Sequence, residues 1–310
     1  MSTLTSRTPS RQGLPRTGRR NKRVRTPWFS YVVVAAGGVA MALPFFDMVS
    51  SSFKGSGEYG ILPYHFLPQD FTWSNYGAAF EELQLGKLFT TSVIVTVAVT
   101  ASVLITSAMA GYALAKLRFR GRDVIFRFIL ATMMLPPFLL LIPDFLIMLN
   151  WPLVGGNNIL GQGGDGGMTT NIVSLMLPFL VSGFGIFLMR QFMVGVPNEM
   201  LEAARIDGAG EWRLFWSVVL PQAKPVAITL GLITFVGQWN EYIWTSLMAS
   251  TNPDLMTLPV GIQLLQSFID PNRTMPIVMA GIVISTLPVL ILFLFLQKYY
   301  VRGVVLSGMK

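Results

Sequence analysis

Six stretches of this chain are apolar for about 20 residues or more: Phe29–Val49, Phe89–Leu114, Val124–Leu149, Ile172–Met193, Pro225–Met248 and Pro276–Leu296. About 20 apolar residues is the length a helix needs to cross the hydrocarbon of a bilayer. With no water there to satisfy backbone N–H and C=O groups, the spanning segments must satisfy them internally, so helices are expected. Composition agrees. Charged residues make up 12% of the 310 and hydrophobic residues 52%, whereas soluble domains carry roughly 25% charge. The expectation is an all-α integral membrane protein with six transmembrane helices.

The charge left over is strongly partitioned. Residues 1–28 hold eight Lys/Arg, the loop around 115–127 five, the loop 194–224 with Arg190 just before it four, and the tail after 296 three. The alternate loops hold only Lys54, Lys87 and Arg273. Basic residues accumulate on the cytoplasmic side, so both termini are expected inside a plasma or inner membrane. Such a partition explains the +8 net charge without nucleic acid as a partner. Anionic lipid is the natural neighbour of the basic N-terminus, whose Ser, Thr, Pro and Gly content reads as a disordered tail over 1–28. The first span, 21 residues long and without a clear cleavage site, reads as a retained anchor rather than a signal peptide. The body is then 29–296, and 297–310 is a second cytoplasmic tail.

Several chemistries are excluded early. Without cysteine there is no disulfide framework, thiolate metal site or thiol nucleophile. The one histidine, His65, falls in an outer loop between prolines. The run GGNNILGQGGDGG, within 155–167, is too glycine-rich to bury a core, and no Gly-Lys-Ser/Thr follows it, so it is not a phosphate loop. Prolines 44, 136, 137, 143, 178 and 288 fall inside spans, where each frees a carbonyl and kinks the helix.

Ionisable residues within spans are functional candidates. Asp47 and Asp144 lie near the outer ends of theirs, whereas Glu241 lies deeper, about 24 Å along the fifth span at 1.5 Å per residue. Thr234, Gln238, Glu241 and Thr245 repeat as one helical face, flanked by Trp239, Asn240, Tyr242 and Trp244. Amides and carboxylates suit hydroxyls, and aromatic planes suit the C–H faces of a sugar ring. The same polar groups could instead join helices by hydrogen bonds.

The loop 194–224 is unlike the rest. PNEMLEAARID is a run of helix formers behind Pro197, and Gly208 supplies a stop in the left-handed conformation. A second helix starts near Glu211, whose charge suits a helix N-terminus. Trp212, Phe215, Trp216 and Val219 share one of its faces, with the acids and Arg205 pointing away, and Pro221 and Pro225 end it. Periodicity alone leaves two readings open, an interfacial amphipathic hairpin or a docking element.

Glu202-Ala203-Ala204, three residues, Gly208, nine residues, Val218, one residue, Leu220-Pro221 resembles the EAA loop of binding-protein-dependent ABC importer permeases. FLMRQFMVGVPNEM before it and DGAG after it are similar to the carbohydrate-uptake branch, the group of the second maltose-importer permease. So are Asn75-Tyr76, GYALAKLRFRGR (111–122), LPPFLLLIP (135–143), QWNEYIW (238–244), LPVGI (258–262) and QKYYVRG (297–303). The resemblance implies a type I permease fold with a cytoplasmic coupling helix. Glu202, Ala203 and Ala204 would touch an ATPase subunit; Asp207, Gly208, Leu220 and Pro221 would frame that contact; Ser307, Gly308 and Met309 would reach the ATPase pair. It implies as partners a second permease, two ATP-binding subunits that hold ATP and Mg, an extracytoplasmic solute-binding protein and a carbohydrate, most naturally an oligosaccharide. Thr234, Gln238, Asn240, Glu241, Tyr242 and Trp244 would line the substrate path, and the chain itself would be no enzyme and hold no cofactor. Two rivals follow from the carboxylates: an ion-coupled secondary transporter working through Glu241 or Asp144, and a membrane enzyme with Asp47 and Asp144 as its acids.

Overall fold

A computed structural model describes residues 28–82, 84–266 and 271–307, without the side chains of 271–273 and 298–307. The expected disordered tail therefore lies outside the described residues but for Trp28, as do Gly308 and Met309. Helices dominate, and among the described residues there is no strand. In chain order they are α1 (Trp28–Ser51), α2 (Ser74–Glu82), α3 (Leu85–Lys116), α4 (Arg122–Thr132), α5 (Pro137–Leu149), α6 (Gly183–Val194), α7 (Asn198–Ile206), α8 (Glu211–Leu214), α9 (Leu220–Gln222), α10 (Lys224–Trp239), α11 (Ile243–Thr251), α12 (Leu258–Gln266) and α13 (Pro271–Ser307). Two units divide between Phe45 and Phe46. Within the first, the helix is apolar all round, with Trp28, Phe29, Tyr31, Val34, Val39, Met41 and Phe45 exposed, the pattern of a membrane span rather than of an amphipathic helix.

The second unit is organised on α3. Its Val95, Val99 and Val103 join Met189 and Met193 of α6 and Leu230 of α10 in one buried cluster. Towards its other end Leu85 and Leu88 pack with Trp239, Leu258, Ile262, Val278 and Ala280. Small residues set how closely α3 and α6 approach. A Cβ on Gly111 would lie 2.8 Å from Met189 Cβ and 3.0 Å from the Arg190 nitrogen, and one on Gly185 would lie 2.3 Å from Ser107 Oγ. Close backbone approach through small residues is how helices associate where no hydrophobic drive separates protein from solvent.

Three helices are long and apolar enough to cross a membrane, α1, α3 and the Thr274–Gln297 part of α13, or up to six if each bent pair counts as one span. The expected third span breaks rather than kinks: α4 and α5 meet at 98°, because Pro136 is forced extended (ψ 128°) by Pro137, which starts α5. The expected fourth begins as successive 3₁₀ turns, 172–179, before a 44° bend into α6. Pro178 falls in the last of those turns, and Ser182 then caps α6 by accepting from the Gly185 N–H at 3.1 Å. The expected fifth span, read as continuous over Pro225–Met248, stops at Trp239 and resumes at Ile243. By contrast α13 runs unbroken through Pro276 and Pro288 as far as Ser307.

The glycine-rich loop, with no hydrophobic core, is nonetheless tightly wound. Its pin is the buried Asn157, whose Nδ2 donates to the Leu149 and Trp151 carbonyls (3.0 and 3.1 Å) and whose Oδ1 accepts from the Gly164 N–H (3.0 Å). Gly161 stands at φ +75°, where a Cβ would fall 2.0 Å from the Asn150 carbonyl oxygen.

Two substitutions test this packing. Gly111→Leu overfills the α3–α6 contact and should cost about 1–3 kcal/mol. Gly161→Ala should loosen the glycine-rich loop alone. Thermal melting in detergent should drop for the first, and limited proteolysis near 155–167 should accelerate for the second.

Candidate functional site: the 194–224 loop and the break in the fifth span

Helix α7 begins after Pro197, carries Glu199 in its first turn where the helix dipole favours an acid, and ends at a left-handed Gly208 (φ +82°). The turn closes with the Ala209 N–H on the Ala204 carbonyl (2.9 Å) and the Gly208 N–H on that of Arg205 (3.0 Å), a glycine stop of the kind the sequence suggests. Of α7 only Leu201 is buried. Glu202, Ala203, Ile206, Asp207 and Gly208 are exposed and Ala204 is half-buried, so Glu202 and Ala203 are open to contact.

The second half of the loop differs from its expected form. Trp212 and Trp216 are exposed (63% and 46%), whereas Leu214, Phe215 and Val219 are buried. Residues 215–219 form a π-helical turn. The π turn is wider than an α turn, yet the rings of Trp212, Phe215 and Trp216 still meet along one side, with centroids 5.1 to 6.0 Å apart, so the expected face forms but its indoles are left open. Pro221 explains the widening, since it has no N–H to offer the carbonyl four residues back and its ring crowds that carbonyl. The helix ends just past Pro221, at Gln222. Leu220 (half-buried) and Pro221 (exposed) sit in α9, and a 77° bend at Ala223 leads into α10.

Nor does Arg205 point away. Its Nη2 and Nε donate to Glu211 Oε1 at 2.8 and 3.1 Å, and Glu211 Oε2 accepts from the Tyr112 hydroxyl at 2.7 Å. Lys116 Nζ donates to the Val196 carbonyl (2.6 Å) and to Asn198 Oδ1 (2.9 Å). Tyr112 and Lys116, one helical turn apart on α3, are functional candidates that sequence reasoning missed, although both lie in the GYALAKLRFRGR run. The Tyr112 hydrogen bond, more than the Arg205 charge, holds the Glu211 carboxyl below its ordinary range, against partial burial. A lowered carboxylate pKa means the tie is complete at neutral pH and is lost only as pH falls through that lowered value.

At the break in the fifth span, Glu241 is a cap. Its Oε1 accepts from the Trp244 N–H (2.7 Å), and its Oε2 from the Thr245 N–H (3.0 Å) and hydroxyl (2.7 Å). Of the expected stripe, Thr234 and Gln238 stay half-buried on α10, and Thr245 is buried on α11. Asn240 and Tyr242 are exposed at the break, with Asn240 Nδ2 returning to the Val236 carbonyl at 2.8 Å. Trp244 is buried, and its Nε1 donates to the Ser174 carbonyl at 2.9 Å. Asp47 accepts from the Tyr64 hydroxyl, which also takes a 3.1 Å hydrogen bond from the buried Lys54. Asp144 lies on α5. Among the described residues no group of three His, Asp or Glu could hold a metal ion.

The helical membrane fold supplies a scaffold for a transport component, and the comparisons with known proteins say which kind. The family described as "binding-protein-dependent transport system inner membrane component" matches residues 104–306, and the chain belongs to it. It is 29% identical over 93% of its length, and 99% of the relative's, to the arabinooligosaccharides transport system permease protein AraQ of Halalkalibacterium halodurans. It is 30% identical to the diacetylchitobiose uptake system permease protein NgcG of Streptomyces coelicolor, covering 87% of this chain and 84% of that one. A crystal structure of a bacterial ABC transporter involved in import of the acidic polysaccharide alginate contains a similar chain, with TM-score 0.75, 26% identity, and coverage of 88% of this chain and 95% of the other. This protein is therefore a membrane-embedded permease subunit of an ABC importer.

The Glu241 cap gives a direct expectation. Glu241→Ala removes the carboxylate that accepts from Trp244 and Thr245 and should lower the melting point of the purified protein by an amount equivalent to about 1–2 kcal/mol. Glu241→Asp, which retains a carboxylate, should recover part of the loss.

Proposed function

We propose that this chain pairs with a second permease to form the path by which a carbohydrate, delivered by an extracytoplasmic solute-binding protein, crosses the membrane. Two separate ATP-binding subunits hold ATP and Mg and supply the work, and this chain performs no catalysis. The relatives named for arabinooligosaccharide and diacetylchitobiose uptake support an oligosaccharide. The basic residues of the 115–127 and 194–224 loops support a cytoplasmic side for both, and for both termini.

On this reading α7 is the coupling helix. One observation carries it: Glu202 and Ala203 are exposed on a short helix that a left-handed Gly208 stops and that a single apolar side chain anchors. A surface helix of that kind suits contact with a moving partner. Glu202, Ala203 and Ala204 meet the ATPase, Asp207 and Gly208 set the turn behind it, and Leu220 and Pro221 shape the return towards α10. The C-terminal residues Ser307, Gly308 and Met309 add a second contact. Gln238, Asn240 and Tyr242 face the substrate path with Thr234; Glu241 and Trp244 support it by fixing the start of α11. Both Glu241 oxygens are engaged in that cap, which argues against ion coupling through it.

Gly208→Val tests the coupling role. Nothing lies within 4 Å of a Cβ there, so the substitution acts only through the left-handed backbone, at a cost of about 1–2 kcal/mol. Membrane insertion should persist while sugar uptake in proteoliposomes falls at least tenfold and ATP hydrolysis continues. Normal uptake by that variant, and by Glu202→Lys, would overturn the docking assignment. Copurification in mild detergent should recover an ATP-binding subunit and a second permease.

A further inference from the structure

The loop 194–224 is held to α3 at two separated points. At one, Lys116 Nζ reaches the Val196 carbonyl and Asn198 Oδ1, at the start of α7 (2.6 and 2.9 Å). At the other, Tyr112 reaches Glu211, whose second oxygen takes both donors of Arg205 near the end of α7. Asn198 and Arg205 are seven residues apart, about 10 Å along a helix. A helix pinned once can pivot about the pin; pinned at two places about 10 Å apart, it moves as one body with whatever holds it. The apolar anchor is a single side chain, Leu201, the only buried residue of α7, so by itself it leaves the helix free to turn about one point.

The carboxylate of Glu211 is divided between the span and the loop. Oε2 faces Tyr112 on α3, and Oε1 faces Arg205 on α7. The ring of Tyr112 also packs on Phe215, centroids 5.3 Å apart, so the hydroxyl is aimed by a contact that does not depend on the hydrogen bond. Thus α3, which packs on α6 and α10 through the main buried cluster, is tied directly to the start of the surface helix and, through Glu211, to its end.

We propose that Tyr112 and Lys116 are positioning residues that clamp α7 to the last two turns of α3, with Glu211 as the bridge to Arg205, so that displacement of α7 is passed to α3 without pivoting. The inference rests on α7 being the docking helix. The clamp itself is internal to the chain and can be measured wherever the ATPase binds.

The native sequence contains no cysteine, so spin labels can be placed at Ile206→Cys and Arg118→Cys, both exposed positions, in a complex whose other subunits are cysteine-free. The distance between them reports whether α7 is held. Tyr112→Phe keeps the ring and loses the hydroxyl; Lys116→Met keeps the stem and loses the donor. In the assembled complex in proteoliposomes, the double variant should widen the distance distribution. It should also lower the sugar moved per ATP hydrolysed about tenfold, the size of losing a hydrogen bond to a charged group. Glu211→Gln, which keeps an acceptor for Tyr112 and loses the ion pair, should fall between parent and double variant in both readouts.

A distance distribution as narrow as the parent's overturns the clamp. So does a widened distribution with an unchanged transport ratio, which would make the ties merely structural. Should the double variant fail to assemble, Tyr112→Phe and Lys116→Met taken singly carry the same comparison. Normal uptake by Gly208→Val overturns the docking reading instead, and leaves the distance measurement standing.

Discussion

In hydrocarbon a backbone N–H or C=O released from a helix finds no water, and the cost of leaving it unpaired is several kcal/mol. That constraint governs this fold because so many of its spans are interrupted. Several of the interruptions have their own repair. Ser182 accepts from the N–H that opens α6, Asn171 does the same for the 3₁₀ turn before it, and Glu241 accepts three donors at the start of α11. The indoles of Trp239 and Trp244 take the carbonyls of Ser285 and Ser174. The caps are local and the two indoles tie α10 and α11 to neighbouring elements, so the entries to α6 and α11 are held in place.

The sequence made some of this legible and hid the rest for identifiable reasons. Apolar run length marked where spans lie, and Pro136-Pro137 marked the third as interrupted, because a proline's effect on its own backbone is local. The break after Trp239 carries no proline. It depends on Glu241 folding its carboxylate onto the next helix, a choice between two hydrogen-bond partners that periodicity does not see, so Thr234, Gln238, Glu241 and Thr245 read as one continuous stripe. Gly208 was readable because a left-handed stop favours one residue type. Trp212, Phe215 and Trp216 do share a side, as their spacing says, but spacing does not say how much of that side the fold covers, and the two indoles stay exposed.

The ties at the end of α3 were not readable at all. Tyr112 and Glu211 are 99 residues apart, and Lys116 and Val196 are 80 apart. Nothing local distinguishes this tyrosine and lysine from the aromatic and basic residues that commonly end a span. Only the fold that brings the 194–224 loop under α3 gives them partners. Long-range polar contacts of this sort are the part of a membrane protein that composition and spacing say least about.

The contrast between α3 and its neighbours bears on how such a subunit could convert one motion into another. A bent pair can absorb displacement at its bend, so a push on α4 need not reach α5 across 98°, nor one on α8 and α9 reach α10 across 77°. Helix α3 has no proline in its 32 residues, about 48 Å of unbroken rod. It carries Tyr112 and Lys116 at one end and packs at the other, through Leu88, into the cluster of Trp239 and Leu258. Trp239 is the last residue of α10 before the break that exposes Asn240 and Tyr242. A movement of the surface loop therefore has a stiff route to the interrupted helix of the proposed substrate path, while the bent helices around it deform. The division of labour is between one rod that transmits and several joints that yield.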